Sequence, residues 1–273
     1  MPVVLIPAHN EAAVLPRALE VLLDGLRSDA EVWVLANGCS DESADIARAA
    51  GVQVIEIEEA SKTAALNAGE AAVSAYPRIY LDADIDLSGN DANRVFAVLE
   101  GGALAAEPRP FLDLEGASLA VRSWYRVWQA LHGRRPGAVG AGLYALSSEG
   151  RQRFGSFPAV IADDGFVRAQ FAPGEIVAVP EAQSRVLGPR RLADLIKIKT
   201  RSRLGNLQLR SGFPDLPGLQ AGQGAASKVS GLPVRLWPLL PWYVAVQLFI
   251  RRRAKIRARN LADYVWERDD SSR

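Results

Sequence analysis

Apolar and polar positions come in short blocks along the first hundred residues. Runs rich in branched and aromatic residues occur at 3–7 (VVLIP), 31–36 (EVWVLA), 52–57 (VQVIEI) and 78–81 (RIYL), and each predicts a strand. Between them lie helical patterns at 11–27, 41–50 and 62–75. The first places Val14, Leu15, Ala18, Leu19 and Leu22 on one stripe. Short strands alternating with helices of ten or more residues predict βαβ units around a parallel sheet. In such sheets ligands bind outside the carboxyl ends of the strands. The notable polar stretches fall at those ends: AHNE at 8–11, NGCSDES at 37–43 and DADID at 82–86.

The last of these stretches poses a chemical problem. If the fourth strand continued extended, Asp82, Asp84 and Asp86 would share one face, because side chains two apart project to the same side. Their mutual repulsion then calls for water, hydrogen-bond donors or a cation. A solvated strand end is one reading. A divalent ion on Asp82 and Asp84 is the other, because hard carboxylate oxygens suit Mn²⁺ or Mg²⁺, which accept substrate phosphate oxygens as further ligands. No G-x-G-x-x-G follows the first strand and no G-x-x-x-x-G-K-[ST] occurs. That argues against dinucleotide oxidoreductases and P-loop NTPases.

Four segments together resemble the successive motifs of family 2 glycosyltransferases: PAHNE at 7–11, NGCSDES at 37–43, KTAALNAG at 62–69 and DAD at 82–84. The resemblance implies a GT-A fold, that is, an α/β, Rossmann-like, mostly parallel sheet flanked by helices, here with a C-terminal helical extension. It also implies a nucleotide-diphosphate sugar donor, Mn²⁺ or Mg²⁺ as cofactor, and inversion at the anomeric carbon. Carried over by position, Pro7, Ala8, His9, Asn10 and Glu11 would line the nucleoside pocket. Asn37 and Asp41 would stand near base and ribose with Lys62 and Asn67 beside them, and Asp82 and Asp84 would contact ribose and metal. The family often writes an acidic pair where this chain has Ala36-Asn37, which leaves the base, uracil or guanine, open.

The second half supplies the acceptor side. GAVGAGLYALS at 137–147 is a glycine-rich turn entering an apolar run, where Gly140 and Gly142 would let backbone approach a sugar or would simply form a tight loop. VIADDGFVR at 160–168 resembles the family's E-D motif, with Asp164 at the position of the general base and Asp163 in place of the usual Glu. An inverting transfer needs one carboxylate to take the acceptor hydroxyl's proton. A helix N-cap is the structural alternative, and the two roles are compatible. Residues 185–210 then carry eight Lys+Arg against one Asp. Arg190 and Arg191 with Lys197, Lys199, Arg201 and Arg203 would neutralise the leaving diphosphate, or form a solvated basic helix. Few aromatics interleave with these charges, so nucleic-acid binding is not expected.

Residues 1–210 therefore read as the catalytic domain, with 1–100 as its donor half and 101–210 as its acceptor half. A linker at 211–233 follows by composition, then a C-terminal extension over 234–273. Within the extension, LWPLLPWYVAVQLFI at 236–250 is too short to span a bilayer and precedes RRRAKIRAR. It fits either a peripheral membrane contact or a helix buried on the domain.

Composition changes this picture little. Apolar residues at 49 % and charged residues at 23 % of 273 are ordinary for a globular chain. The net charge of +1 conceals an asymmetry: residues 1–100 hold 6 Lys+Arg against 17 Asp+Glu, the remainder 26 against 14. That suits a site handling a metal and phosphates together. The single cysteine, Cys39, and the absence of a basic n-region before the first apolar run point to a cytoplasmic setting, including the cytoplasmic face of a membrane. The expected partners are a nucleotide-sugar donor and a glycan or lipid-linked acceptor. A nucleotidyltransferase and a non-catalytic nucleotide-sugar binder are the competing functions.

Overall fold

The computed structural model describes residues 1–132, 142–221 and 232–259. In chain order the first elements are β1 (Val3–Ala8), α1 (Leu15–Leu23), β2 (Glu31–Asn37), α2 (Ser43–Ala49), β3 (Gln53–Ile57), α3 (Lys62–Ala72), β4 (Arg78–Leu81), β5 (Ile85–Leu87) and α4 (Gly89–Glu100). They are followed by β6 (Ala105–Asp113), α5 (Leu119–His132), β7 (Leu143–Leu146), α6 (Ser148–Arg151), α7 (Asp163–Ala169), β8 (Ile176–Leu187) and α8 (Leu192–Gly212). The chain continues into α9 (Pro217–Ala221), a 3-10 helix (Val234–Leu239) and α10 (Leu240–Arg257). The predicted strands are present within a residue or two. Helix α1 starts later than its apolar stripe suggests, because Glu11 O accepts from both Val14 N (3.0 Å) and Leu15 N (2.9 Å) and closes a turn first.

These elements divide into two units that alternate along the chain. One holds residues 1–111, 142–159 and 170–186; the other holds 112–132, 160–169, 187–221 and 232–259. The stretch expected as a linker includes α9, and its residues 222–231 lie outside the described residues.

The first unit is built on one sheet of order β3-β2-β1-β4-β7-β6-β8-β5. Strands β1, β2, β3 and β4 are parallel, with β1 between β2 and β4. Strand β7 then pairs antiparallel with β4 and β6, and β5 antiparallel with β8. From β1 the chain winds one way to β2 and β3, then returns to the other side of β1 as β4. The reversal creates a switch point between the carboxyl ends of β1 and β4, the place where open α/β sheets bind ligands. Side chains at Val4, Ile6, Val34, Ile79, Leu81 and Leu143 fill one core with the buried stripe Leu15, Ala18, Leu19 and Leu22 of α1 against the sheet. The second unit has its own core, where Val121, Trp124, Val127 and Trp128 of α5 meet Leu195 of α8 and Tyr243, Val246 and Ile250 of α10.

Where β4 ends, the extended strand assumed for the three aspartates does not persist. Ile85 N donates to Asp82 O (3.1 Å), and the chain turns before resuming as β5. Asp86 thereby becomes a buried residue of β5, 6 % exposed, whose carboxylate takes Arg17 Nε of α1 at 2.9 Å and lies 3.8 Å from Arg185 of β8. It fastens α1 to the sheet, and Asp82 and Asp84 are left to the turn.

Helix α4 starts where Ser88 Oγ accepts from Asp91 N (3.1 Å), and its first residue packs on the loop after α1. A Cβ on Gly89 would stand 2.1 Å from Leu26 N and 2.5 Å from Asp24 O, both backbone atoms that cannot yield like a side chain. Gly89→Ala should therefore destabilise the protein by ~1–3 kcal/mol through overpacking, read as a lower urea midpoint. An unchanged midpoint would mean that the loop gives way freely.

Candidate active site

Residues expected on the donor side come together at the switch point of the first unit. On the β1 side, Pro7 and Ala8 are buried, with Pro7 beyond the residues of β1 that pair with β4. Asn10 adopts φ 52°, a left-handed conformation that asparagine tolerates better than most residues. Its Oδ1 accepts from Ser40 N (2.7 Å), which ties the β1 loop to the β2 loop. His9 Nδ1 lies 2.6 Å from Asn37 O, and Glu11 N donates to Ser43 Oγ (2.7 Å).

Several predicted donor residues prove to be organisers of this loop pair. Asn37 is 3 % exposed, and its Nδ2 donates to Ala8 O (2.8 Å), so its amide closes the β1 and β2 ends together. Asp41 accepts from Ser43 Oγ (2.6 Å), Ser43 N (3.1 Å) and Ala12 N (3.0 Å). Burial pushes its carboxyl up, but these donors outweigh burial and hold it below the usual aspartate range. Asn67 pins α3 to the 157 segment by a reciprocal pair, its Nδ2 to Phe157 O (3.0 Å) and Phe157 N to its Oδ1 (2.8 Å).

On the β4 side Lys62, the first residue of α3, places Nζ 2.5 Å from Asp82 Oδ1. Asp82 N donates to Gly142 O (2.7 Å), and a Cβ on Gly142 would fall 2.5 Å from Asp82 Oδ2. At φ 55° this glycine serves both the turn and the close approach. Predicted as an acceptor-side residue, it packs against the aspartate itself. Gly140 lies outside the described residues. Among the described residues no group of three or more His, Cys, Asp or Glu could hold a metal ion. The carboxylates of Asp82 and Asp84, both in the turn after β4, are a donor set that fits Mn²⁺ or Mg²⁺ completed by water and phosphate oxygens.

Behind α3 lies a feature that the sequence pattern did not single out. Glu70 accepts from Tyr80 Oη (2.5 Å), Arg151 Nε (2.6 Å) and Tyr76 Oη (3.4 Å), and it pairs with the guanidinium of Arg78. Arg78 is 0 % exposed although it opens a strand. Burial and the adjacent Glu70 charge push the Tyr80 hydroxyl well above its ordinary pKa. The one available signal was an arginine at the head of a strand otherwise written IYL.

The second unit carries the other predicted residues. Asp163 and Asp164 occupy the first turn of α7. Asp163 is 3 % exposed, whereas Asp164 is half-buried and its Oδ1 accepts from Gly165 N (2.7 Å). Arg190 and Arg191 are exposed just before α8. Two lysines of the basic run have partners within the unit. Lys197 Nζ sits 2.9 Å from Asp194, and Lys199 Nζ lies 4.6 Å from the ring centroid of Trp128, 5.3 Å from Tyr125 and 5.6 Å from Trp124. Burial lowers the Lys199 pKa to about 8, and the ring faces attract its charged form.

Residues 3–110 match the model of glycosyl transferase family 2, about two-fifths of the chain. Over these residues the chain is similar to that family. The GT-A fold is shared with solved structures over a longer span. A mannosyltransferase of Pyrobaculum calidifontis, in complex with GDP-Man and Mn²⁺, is 20% identical with a TM-score of 0.60, covering 96% of this chain and 79% of its own. Glucosyl-3-phosphoglycerate synthase of Mycobacterium tuberculosis, in complex with Mn²⁺, UDP and glucosyl-3-phosphoglycerate, is 22% identical with a TM-score of 0.55, covering 79% and 81%. No curated protein matches the chain significantly. In this chain the β1 and β4 ends meet at the switch point of that fold.

Glu70→Gln tests whether α3 is held from behind. Removing one partner of a buried pair leaves Arg78 uncompensated, so stability should fall by ~3 kcal/mol or more, measured by urea unfolding. A loss under ~1 kcal/mol would show that the network is dispensable.

Proposed function

We propose that the chain transfers a sugar, with inversion at the anomeric carbon, from a nucleotide-diphosphate sugar to a hydroxyl acceptor. The acceptor is a glycan or lipid-linked molecule, in glycolipid, cell-surface polysaccharide or other glycoconjugate synthesis at the cytoplasmic face of a membrane. The observation that carries the reading is the pair of carboxylates in the turn after β4, with Lys62 on Asp82, opposite the β1 loop at the switch point. The family match over the same residues supports it, as do structural neighbours in complex with GDP-Man or UDP and with Mn²⁺.

In this reading Asp82 and Asp84 would hold Mn²⁺ or Mg²⁺, which supplies Lewis-acid stabilisation of the leaving diphosphate. Pro7 to Glu11, braced by Asn37 and Asp41, form the nucleoside side, while Asn67 fastens α3, which carries Lys62. Lys62 partly balances Asp82 and so orients its carboxylate. Asp164 takes the proton of the acceptor hydroxyl as that oxygen bonds to the anomeric carbon. The bond from that carbon to phosphate oxygen breaks, and nucleoside diphosphate leaves with the electron pair. Exposed Arg190 and Arg191 supply positive charge for it. Asp163 is the buried neighbour of Asp164 in the first turn of α7.

Asp164→Asn separates catalysis from binding. It preserves size, so donor affinity should stay within a few-fold. Release of nucleoside diphosphate in the presence of acceptor should drop by ~100-fold or more, the contribution of a general base, or ~3 kcal/mol at 1.36 per decade. Parental turnover in the mutant would remove Asp164 from the reaction. Release of pyrophosphate by the parent would mean nucleotidyl transfer instead.

A further inference from the structure

Seven of the chain's exposed large apolar side chains lie between residues 234 and 256: Val234, Trp237, Trp242, Val244, Leu248, Phe249 and Ile256. Val234 and Trp237 lie in the 3-10 helix and the other five in α10. Tyr243, Val246, Ile250 and Ala254 recur at helical spacing and face the core of α5 and α8. On the opposite face stand Leu248 and Phe249 (57 % and 55 % exposed), then Arg252, Lys255, Ile256 (55 % exposed) and Arg259 toward the C-terminal end. The outward face is thus apolar first and basic afterwards, and residues 234–259 contain no Asp or Glu.

The neighbouring helix extends this surface. Arg203 and Arg210 of α8 are exposed with Leu207 between them, and no acidic residue occurs in α8 after Asp194. Burial, then repulsion from Arg251 of α10 and from Arg210, pushes the Arg203 guanidinium below its ordinary pKa. Cations from two helices are therefore crowded together beside exposed leucine and phenylalanine.

A membrane span is excluded as the explanation, because no helix of the described residues is long and apolar enough to cross one. A second copy is disfavoured because it would set this all-cationic face against itself. A nucleic acid would match the charge but would leave Trp237, Leu248 and Phe249 in water. We propose that the outward face of α10, with the 3-10 helix before it and Arg203 to Arg210 of α8, docks on an anionic lipid surface. The aromatic and aliphatic side chains enter the headgroup boundary, and the arginines lie over lipid phosphates and carboxylates. This deepens the reading of a transferase acting on membrane-held acceptors, and it stands on separate residues.

The full-length protein should sediment with vesicles containing one-third phosphatidylserine and scarcely with phosphatidylcholine alone, and added salt should weaken binding. Leu248→Ser with Phe249→Ser should reduce the partition coefficient at least tenfold. Arg251→Gln with Arg252→Gln should reduce it roughly fivefold per residue. Neither pair fills a core position, so the urea midpoint and nucleoside diphosphate binding should match the parent. Retained nucleotide binding without vesicle binding would overturn this inference and leave the transferase reading standing. Equal partition into both vesicle types, parental partition of the variants, a dimer broken by the Leu248 and Phe249 changes, or binding of RNA in place of vesicles would also overturn it.

Discussion

Two carboxylates one residue apart repel each other, and the end of β4 is built to tolerate them. The backbone turns between Asp82 and Ile85, Lys62 from the start of α3 meets one oxygen of Asp82, and Gly142 leaves room for the other. Lys62 and Gly142 are both distant in sequence from the aspartates. The parallel strands, the crossover through α3 and the antiparallel return through β7 are what bring them together. An ordinary side chain at Gly142 would collide with Asp82, and losing the turn would carry Asp84 along with Asp86 into the sheet.

The supports behind that turn are electrostatic as well as apolar. Glu70 gathers Arg78, Arg151, Tyr76 and Tyr80 on the far part of α3, and Asn67 fastens the same helix to the backbone at Phe157. Helix α3 is thereby held along its length, which fixes where Lys62 stands at its first turn. The ring of Tyr80 also stacks on Tyr144 of β7, with centroids 4.7 Å apart. The same strands that present the carboxylates thus carry the aromatic packing that keeps β4 and β7 in register.

Most of the fold of residues 1–100 was legible in the sequence because its signals are local. Strand and helix periods, polar residues at strand ends and the order of the family motifs all lie within segments of ten residues or so. What stayed hidden depends on pairing between distant segments. Asp86 was expected on one face with Asp82 and Asp84, but the turn after β4 sends it to Arg17 and Arg185. Asn37 and Asn67 were expected at the donor site, and their amides bind backbone at Ala8 and Phe157, contacts set by tertiary approach. Lys199 read as one cation in a basic run, whereas three aromatic rings of α5 surround it. Within residues 236–250, helix α10 packs one face on α5 and α8 and leaves the other exposed, a split that the apolar run alone did not reveal.

The central claim is that Asp82 and Asp84 form half of a metal site whose other half arrives with the nucleotide. Electron paramagnetic resonance of Mn²⁺ tests it most directly, because free and bound ion differ in signal amplitude. With protein alone, two carboxylates should bind Mn²⁺ weakly. Adding nucleoside diphosphate should produce tight binding at one ion per chain, lost in Asp84→Asn while the urea midpoint is kept. Tight Mn²⁺ binding without nucleotide, or nucleotide-dependent binding that survives Asp84→Asn unchanged, would contradict the account.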